Sequence, residues 1–161
     1  MESKRLTYAA LGADDIDAFH GLVQDAHVRR YLLDDKVFPR DWSVDRIGDS
    51  QRLFDQRGVG LWLARDTSTG ALVGFCGFLD TGAEHPELVY ALSERFTGKG
   101  YATEMARASI AEARRHPDFA TILAAVDEVN AASVRVLDKL GFRCAGTRPG
   151  SLGAMLLYRL G

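Results

Sequence analysis

Only two cysteines, Cys76 and Cys144, occur in the 161 residues. They stand far apart, each inside an apolar stretch. That spacing predicts two buried thiols in a reducing compartment rather than a disulfide or a catalytic thiol. An excess of either charge is also missing. Twenty Lys and Arg face 22 Asp and Glu, for a formal net charge of −2. Electrostatic capture of nucleic acid or of an anionic membrane needs a strong basic surplus, so neither partner is expected. No run approaches the ~18 apolar residues of a membrane span. The opening MESKRLTYAA has no apolar core for a secretory signal. A cytoplasmic protein is expected. Repeats, low-complexity tracts and long linkers are absent, which predicts one domain over residues 1–161. His20, His27 and His116 share no metal-ligand spacing with thiols or carboxylates, so no metal site is expected.

What is present is ordinary globular composition, 47% hydrophobic and 26% charged, on a chain long enough for a sizeable core. Residues 5 to 10 read as a first strand. Asp14 or Asp15 can cap a helix carrying Ile16, Phe19, Val23 and Ala26 at helical spacing. Ser43 can cap a second, with Ile47 and Phe54 inside and Gly58 at its end. Then the period shortens. Segments 61–65, 72–79 and 87–93 read as a meander of strands. A helix over about 99–115 follows, with Met105, Ala106, Ile110 and Ala113 on one face. TILAAV at 121–126 reads as a buried strand. Asn130 opens another helix, which Gly141 closes, and two last strands run over about 142–148 and 154–160. The order is β-α-α-β-β-β-α-β-α-β-β. It predicts an α+β fold with a mixed sheet of about seven strands and about four helices. Strand 87–93, helix and strand 121–126 form a βαβ crossover, so those two strands should be parallel.

The turn RFTGKGYATE at 95–104 places Gly98 and Gly100 at the start of that helix. Unpaired N–H groups and a partial positive charge make a helix start an anion site, and glycine removes the Cβ atoms that would block it. Lys99 adds a mobile charge. A Walker-A loop needs a different spacing. A dinucleotide fingerprint needs glycine or alanine where Thr103 stands, and it belongs after a first strand. Taken alone, the motif is also compatible with a purely structural turn.

GKGYATEMAR followed by NAASVRVLDKLGF at 130–142 resembles the GNAT superfamily of acyl-CoA-dependent N-acetyltransferases. The likeness is strongest to its Rim-type branch, which contains the ribosomal-protein N-terminal acetyltransferases. The similarity of element order spans about residues 5 to 160. It implies acetyl-CoA as co-substrate, with the pyrophosphate on Thr97, Gly98, Lys99, Gly100, Tyr101 and Ala102. Thr97 stands where the family usually has Gln or Arg. The resemblance further implies that strands 87–93 and 121–126 splay at their C-terminal ends. Pantetheine would lie in the gap, with a backbone N–H near Ala91 or Leu92 facing the thioester carbonyl. Asn130 would also touch the cofactor.

Amide formation needs a neutral amine and a proton for the leaving thiolate. The tyrosine that many relatives use would fall at Leu137, so this chain lacks it. A serine takes that place in the Rim-type branch, and Ser133 matches it; the plain alternative is a first-turn serine bonded to backbone. Glu87, at the head of its strand, is the leading proton acceptor, with Glu84 and His85 as alternatives and a solvated carboxylate as the plain reading. Tyr90 reads as a packing residue. HVRRYLLDD at 27–35 is expected on the acceptor rim, where Asp34 and Asp35 either attract a cationic amine or are solvated surface. The leading function is acetyl transfer to a primary amine of a peptide N-terminus or small molecule, directly within a ternary complex. The alternatives are a non-catalytic CoA-binding sensor or partner module, and a nucleotide-binding module without CoA. The final strands could pair between two copies into a homodimer.

Overall fold

A computed structural model describes the chain from Met1 to Gly161. Strands β1 (Leu6–Ala10), β2 (Leu61–Asp66), β3 (Leu72–Leu79), β4 (Glu87–Leu92), β5 (Ile122–Asp127), β6 (Arg143–Gly150) and β7 (Gly153–Leu160) form one sheet. Its order is β1-β2-β3-β4-β5-β7-β6. Helices α1 (Ile16–Gln24), α2 (Ala26–Leu32) and α3 (Arg40–Arg57) precede β2; α4 (Tyr101–Ala113) links β4 to β5; α5 (Ala131–Lys139) follows β5. All neighbouring strands are antiparallel except β4 and β5.

Alternation along the strands sends successive side chains to opposite faces. Val89 and Ala91 of β4 pack with Phe19, Leu22 and Val28 of α1 and α2. Leu88 packs on the other face with Ala106 and Ile110 of α4 and Leu137 of α5. The sheet is therefore clad by α1, α2 and most of α3 on one face and by α4 and α5 on the other, where Leu53 and Phe54 near the end of α3 also reach. On β5, Ile122, Ala124 and Val126 belong to the α4–α5 side, so Leu123, Ala125 and Asp127 face the α1–α3 side.

Five helices form rather than about four. Within the segment 27–35, expected on the rim, residues up to Leu32 belong to helix α2, which starts at Ala26, a residue expected in the first helix; the Asp25 carboxylate starts it by accepting the N–H groups of His27 and Val28 at 2.9 and 3.3 Å. Ser43 is not a cap. α3 already begins at Arg40 after Pro39, and Ser43 is fully buried, hydrogen-bonded to His20 Nδ1 at 2.8 Å. Proline's preset φ and missing N–H suit it to a helix start, and tertiary burial then claimed the serine. Asp15 turns its carboxylate back to accept the Gly12 N–H at 2.9 Å. Cys76 is buried as expected, but Cys144 is exposed. It sits on β6, an edge strand with most side chains in water.

One buried hydroxyl ties the α3 layer to the sheet: Ser50 Oγ accepts the Leu61 N–H at 2.7 Å. Ser50→Ala would orphan a buried donor. The expected loss is about 1–3 kcal/mol of stability, read as a lower urea midpoint with unchanged m-value. An unchanged midpoint would mean that water replaces the hydroxyl.

Candidate active site

β4 and β5 pair at a single register position, Glu87 with Leu123. Past that point they part, and a cleft of about 700 Å³ opens between them. Its walls come from both strands, the start of α4, the start of α5, and α2 on the opposite face. Glu87 stands at the closed end and lines the cleft. Ser93 N–H donates to Val73 O on β3 at 3.0 Å. N–H directions alternate along a strand, so the Ala91 N–H also faces β3. Those of Tyr90 and Leu92 face the gap, where no β5 residue pairs with them.

The glycine turn lies at the open end. Gly98 and Gly100 have φ of 72° and 81°, a region open to glycine and strained for other residues. The first intrahelical bond of α4 runs from Glu104 N–H to Gly100 O at 3.1 Å. No side chain caps this helix. The N–H groups from Gly98 through Thr103 find no acceptor anywhere in the protein. A Cβ built at Gly98 would meet nothing within 4 Å. Six consecutive N–H donors are thus left without a partner at the start of α4.

The turn is braced from below by residues remote in sequence. Arg5, on the approach to β1, donates through Nη1 to Lys99 O at 2.9 Å and lies 4.2 Å from the Tyr101 ring centroid. Glu104 holds Arg5 in turn, Nε to Oε2 at 2.7 Å. The Tyr101 hydroxyl donates to Asp66 Oδ2 at 2.8 Å. The Ser68 hydroxyl and then Tyr101 hold the Asp66 carboxyl well below the usual carboxylate range. Arg5 and Asp66 escaped the sequence reading, because no local pattern ties them to a turn so far along the chain. Thr97, Gly98, Gly100, Tyr101 and Ala102 line the cleft, whereas the Lys99 ammonium folds back onto Arg95 O at 2.9 Å. Arg135 and Lys139 of α5 add positive charge to the same wall.

At the start of α5, Asn130 Oδ1 accepts the Ser133 N–H at 3.1 Å, and Asn130 Nδ2 donates to Ser133 Oγ at 3.1 Å. The serine hydroxyl keeps its own proton free to donate, and both residues line the cleft. Tyr90 reaches across the gap, its hydroxyl donating to Ser133 O at 3.3 Å. Burial pushes its pKa up to about 12. Leu137, where a tyrosine would be expected, is 1% exposed and belongs to the core. Of the three proposed proton acceptors, only Glu87 lines the cleft; Glu84 and His85 lie outside it. No group of three or more His, Cys, Asp or Glu side chains is placed to hold a metal ion. No helix is long and apolar enough to cross a membrane.

A mixed sheet split between two parallel strands, with an uncapped glycine turn at the mouth of the split, defines a fold built to receive an extended, phosphate-bearing ligand. Residues 5–143 match the family model described as the acetyltransferase (GNAT) domain, and the chain belongs to that family. It is 34% identical over 139 residues to the uncharacterized protein YkkB of Bacillus subtilis (strain 168), covering 83% of this chain and 78% of that one. Among solved structures, the GNAT-family acetyltransferase from Bacillus anthracis superposes with a TM-score of 0.76 at 22% identity, covering 99% of this chain and 96% of that one. RimL, the ribosomal L7/L12 alpha-N-protein acetyltransferase in complex with coenzyme A, superposes with a TM-score of 0.81 at 19% identity, covering 98% and 94%. At these identities the two superpositions establish the fold.

Proposed function

We propose that the protein transfers the acetyl group of acetyl-CoA to a primary amine, on a small molecule or a peptide N-terminus, by direct attack in a ternary complex. The reading rests first on the unpartnered N–H groups from Gly98 through Thr103 at the mouth of the β4–β5 split. A diphosphate would satisfy them, and the α4 dipole would add to the attraction. The CoA complex of the RimL neighbour is consistent with that occupant. Arg135 and Lys139 would balance the remaining phosphate charge, with Asn130 beside the pantetheine and Ala91 forming the small-side-chain wall of the gap. Chain 1–161 would act as one catalytic domain, with no metal.

A gap-facing N–H of β4, that of Tyr90 or Leu92, would donate to the thioester oxygen, where charge develops as the carbonyl carbon becomes tetrahedral. One such donor is worth about 2.7–4 kcal/mol in related acyl transfers. Glu87, directly or through water, takes the proton the amine must lose. The C–N bond forms, the C–S bond breaks, and Ser133 Oγ–H donates to the departing thiolate. The experiment is release of CoA thiol from acetyl-CoA with a panel of primary amines. Turnover supports the enzyme. Acetyl-CoA binding without turnover of any amine would instead favour a CoA-binding sensor.

Ser133→Ala is expected to lower kcat by about ten-fold, the small end of general-acid effects, while cofactor affinity changes little. An unchanged kcat, with the chemical step rate-limiting, would leave Ser133 a helix-start residue only.

A further inference from the structure

The acceptor side of the cleft contains a buried carboxylate that the proposed chemistry does not use. Asp127, the last residue of β5, is 7% exposed and lines the cleft. Its Oδ1 is buried with no hydrogen-bond partner. A buried unpaired charge is costly and calls for a counter-charge. The protein supplies none: Asp127 forms no ion pair, and neither does Asp34, which lines the same cleft. Burial first, and then the negative charge of Asp34, push the Asp127 carboxyl above its ordinary value.

Asp34 is held in place. It has φ of 55°, in the left-handed region that favours glycine, and its Oδ2 accepts the Ser151 hydroxyl at 2.9 Å from the β6–β7 turn. Asp127 and Glu87 share the α1–α3 face of the sheet by strand alternation, and Asp34 follows α2 on that face. The other charged or titratable groups lining this side are His27 and Tyr31 of α2 and Arg148 of β6. Arg148 is turned onto Met155 Sδ, at 3.3 and 3.4 Å from its nitrogens.

We infer that Asp127 and Asp34 form a seat for a second positive charge on the acceptor, so that the preferred substrate class is a small dication such as an alkyl diamine. This rests on the acetyl-transfer reading. The reason is chemical. The amine that attacks must be neutral, and two carboxylates around it would hold it protonated. A paired seat suits a charge that persists through the reaction. Glu87 is level with Leu123 and Asp127 lies four residues on, so the two sites are about 13 Å apart along the strand at about 3.3 Å per residue. Glu87 can receive the reacting amine's proton, directly or through water, while the seat on the β5 wall holds the other charge. Amino acids, whose carboxylate would face Asp34 and Asp127, are disfavoured.

The test compares 1,4-diaminobutane with 1-aminobutane, which differ by one ammonium. Two readouts are taken: kcat/KM by thiol release, and the melting-temperature shift by each amine with CoA bound. In the native protein, the diamine should be preferred by about ten-fold or more, and only the diamine should raise Tm. In Asp127→Asn, whose folding is checked by its Tm shift with CoA, the ratio should fall toward one and the diamine shift should vanish. Asp34→Asn should do the same to a smaller degree. Equal use of both amines by the native protein, a preference that survives Asp127→Asn, or an equal fall for both amines overturns the seat. The last result would make Asp127 a partner of the reacting amine. If no amine is acetylated, the binding arm still decides. A diamine shift lost in Asp127→Asn supports the seat while the transferase reading fails, and no diamine shift overturns the seat.

Discussion

Gly100→Val is expected to abolish the stabilisation that acetyl-CoA confers on the native protein. A ligand that binds only the folded chain adds about 2.7 kcal/mol at one hundred times its Kd. For a chain of this length that is about 5–10 °C in Tm. A Cβ on Gly100 would meet only Arg5 Nη2, at 3.5 Å. The protein therefore has room for the side chain, and what the branched group would displace is an anion on the N–H row. The φ of 81° adds a conformational cost for any non-glycine residue. Gly100→Ala separates the two effects: it carries the same backbone cost with a smaller obstruction, and should keep part of the acetyl-CoA shift. A folded Gly100→Val that acetyl-CoA still protects in full would show that the diphosphate lies elsewhere.

Glu87→Gln is expected to lower kcat/KM near neutral pH by about 10²-fold if this carboxylate is the sole proton acceptor, and by less where a water can substitute. The shape of the side chain is kept and only its basicity is lost. Its place makes it the proton acceptor to test first. It lines the cleft at the one position where β4 and β5 still pair, whereas Glu84 and His85 lie outside the wall. The loss has a predictable pH dependence. Free alkyl amines are mostly protonated below about pH 10, like the lysine side chain. A base is needed there, so the two proteins should differ most. As pH rises toward that value more amine arrives neutral, and the profiles should converge. Measured with one fixed acceptor, parallel profiles of equal height would remove Glu87 from the proton path.

Arg5 and Asp66 show a third kind of contribution to the site. Neither lines the cleft, yet both brace the turn that does, through Lys99 O and the Tyr101 hydroxyl. If these donors hold the diphosphate as proposed, bracing them before the ligand arrives favours affinity, because ordering them on binding would subtract from it.

The parts of this molecule that were legible in its sequence are those where the cause is local. Gly-Lys-Gly at a helix start, Asn130 three residues before Ser133, and Gly141 after Leu140 each act within one turn of chain. The 3.6 and 2 periodicities marked most elements for the same reason. The order of those elements then left little freedom for the topology, because a βαβ crossover imposes a parallel pair between 87–93 and 121–126. Where local cues competed, the folded structure decided. Ser43 has the chemistry of a cap, but Pro39 begins the helix and the serine is buried against His20. Cys144 sits in an apolar stretch, yet the strand carrying it ends up at a sheet edge. Asp127 reads as an unremarkable strand-end residue. Its meaning comes from the split that leaves it buried without a partner, and from Asp34, 93 residues earlier, brought to the same wall by α2 and the Ser151 contact. Arg5 and Glu104 meet across 99 residues. Sequence pattern reports what a residue does to its own turn of chain. The field at a charged group is set by whatever burial brings near it, and only the packed sheet and helices decide that.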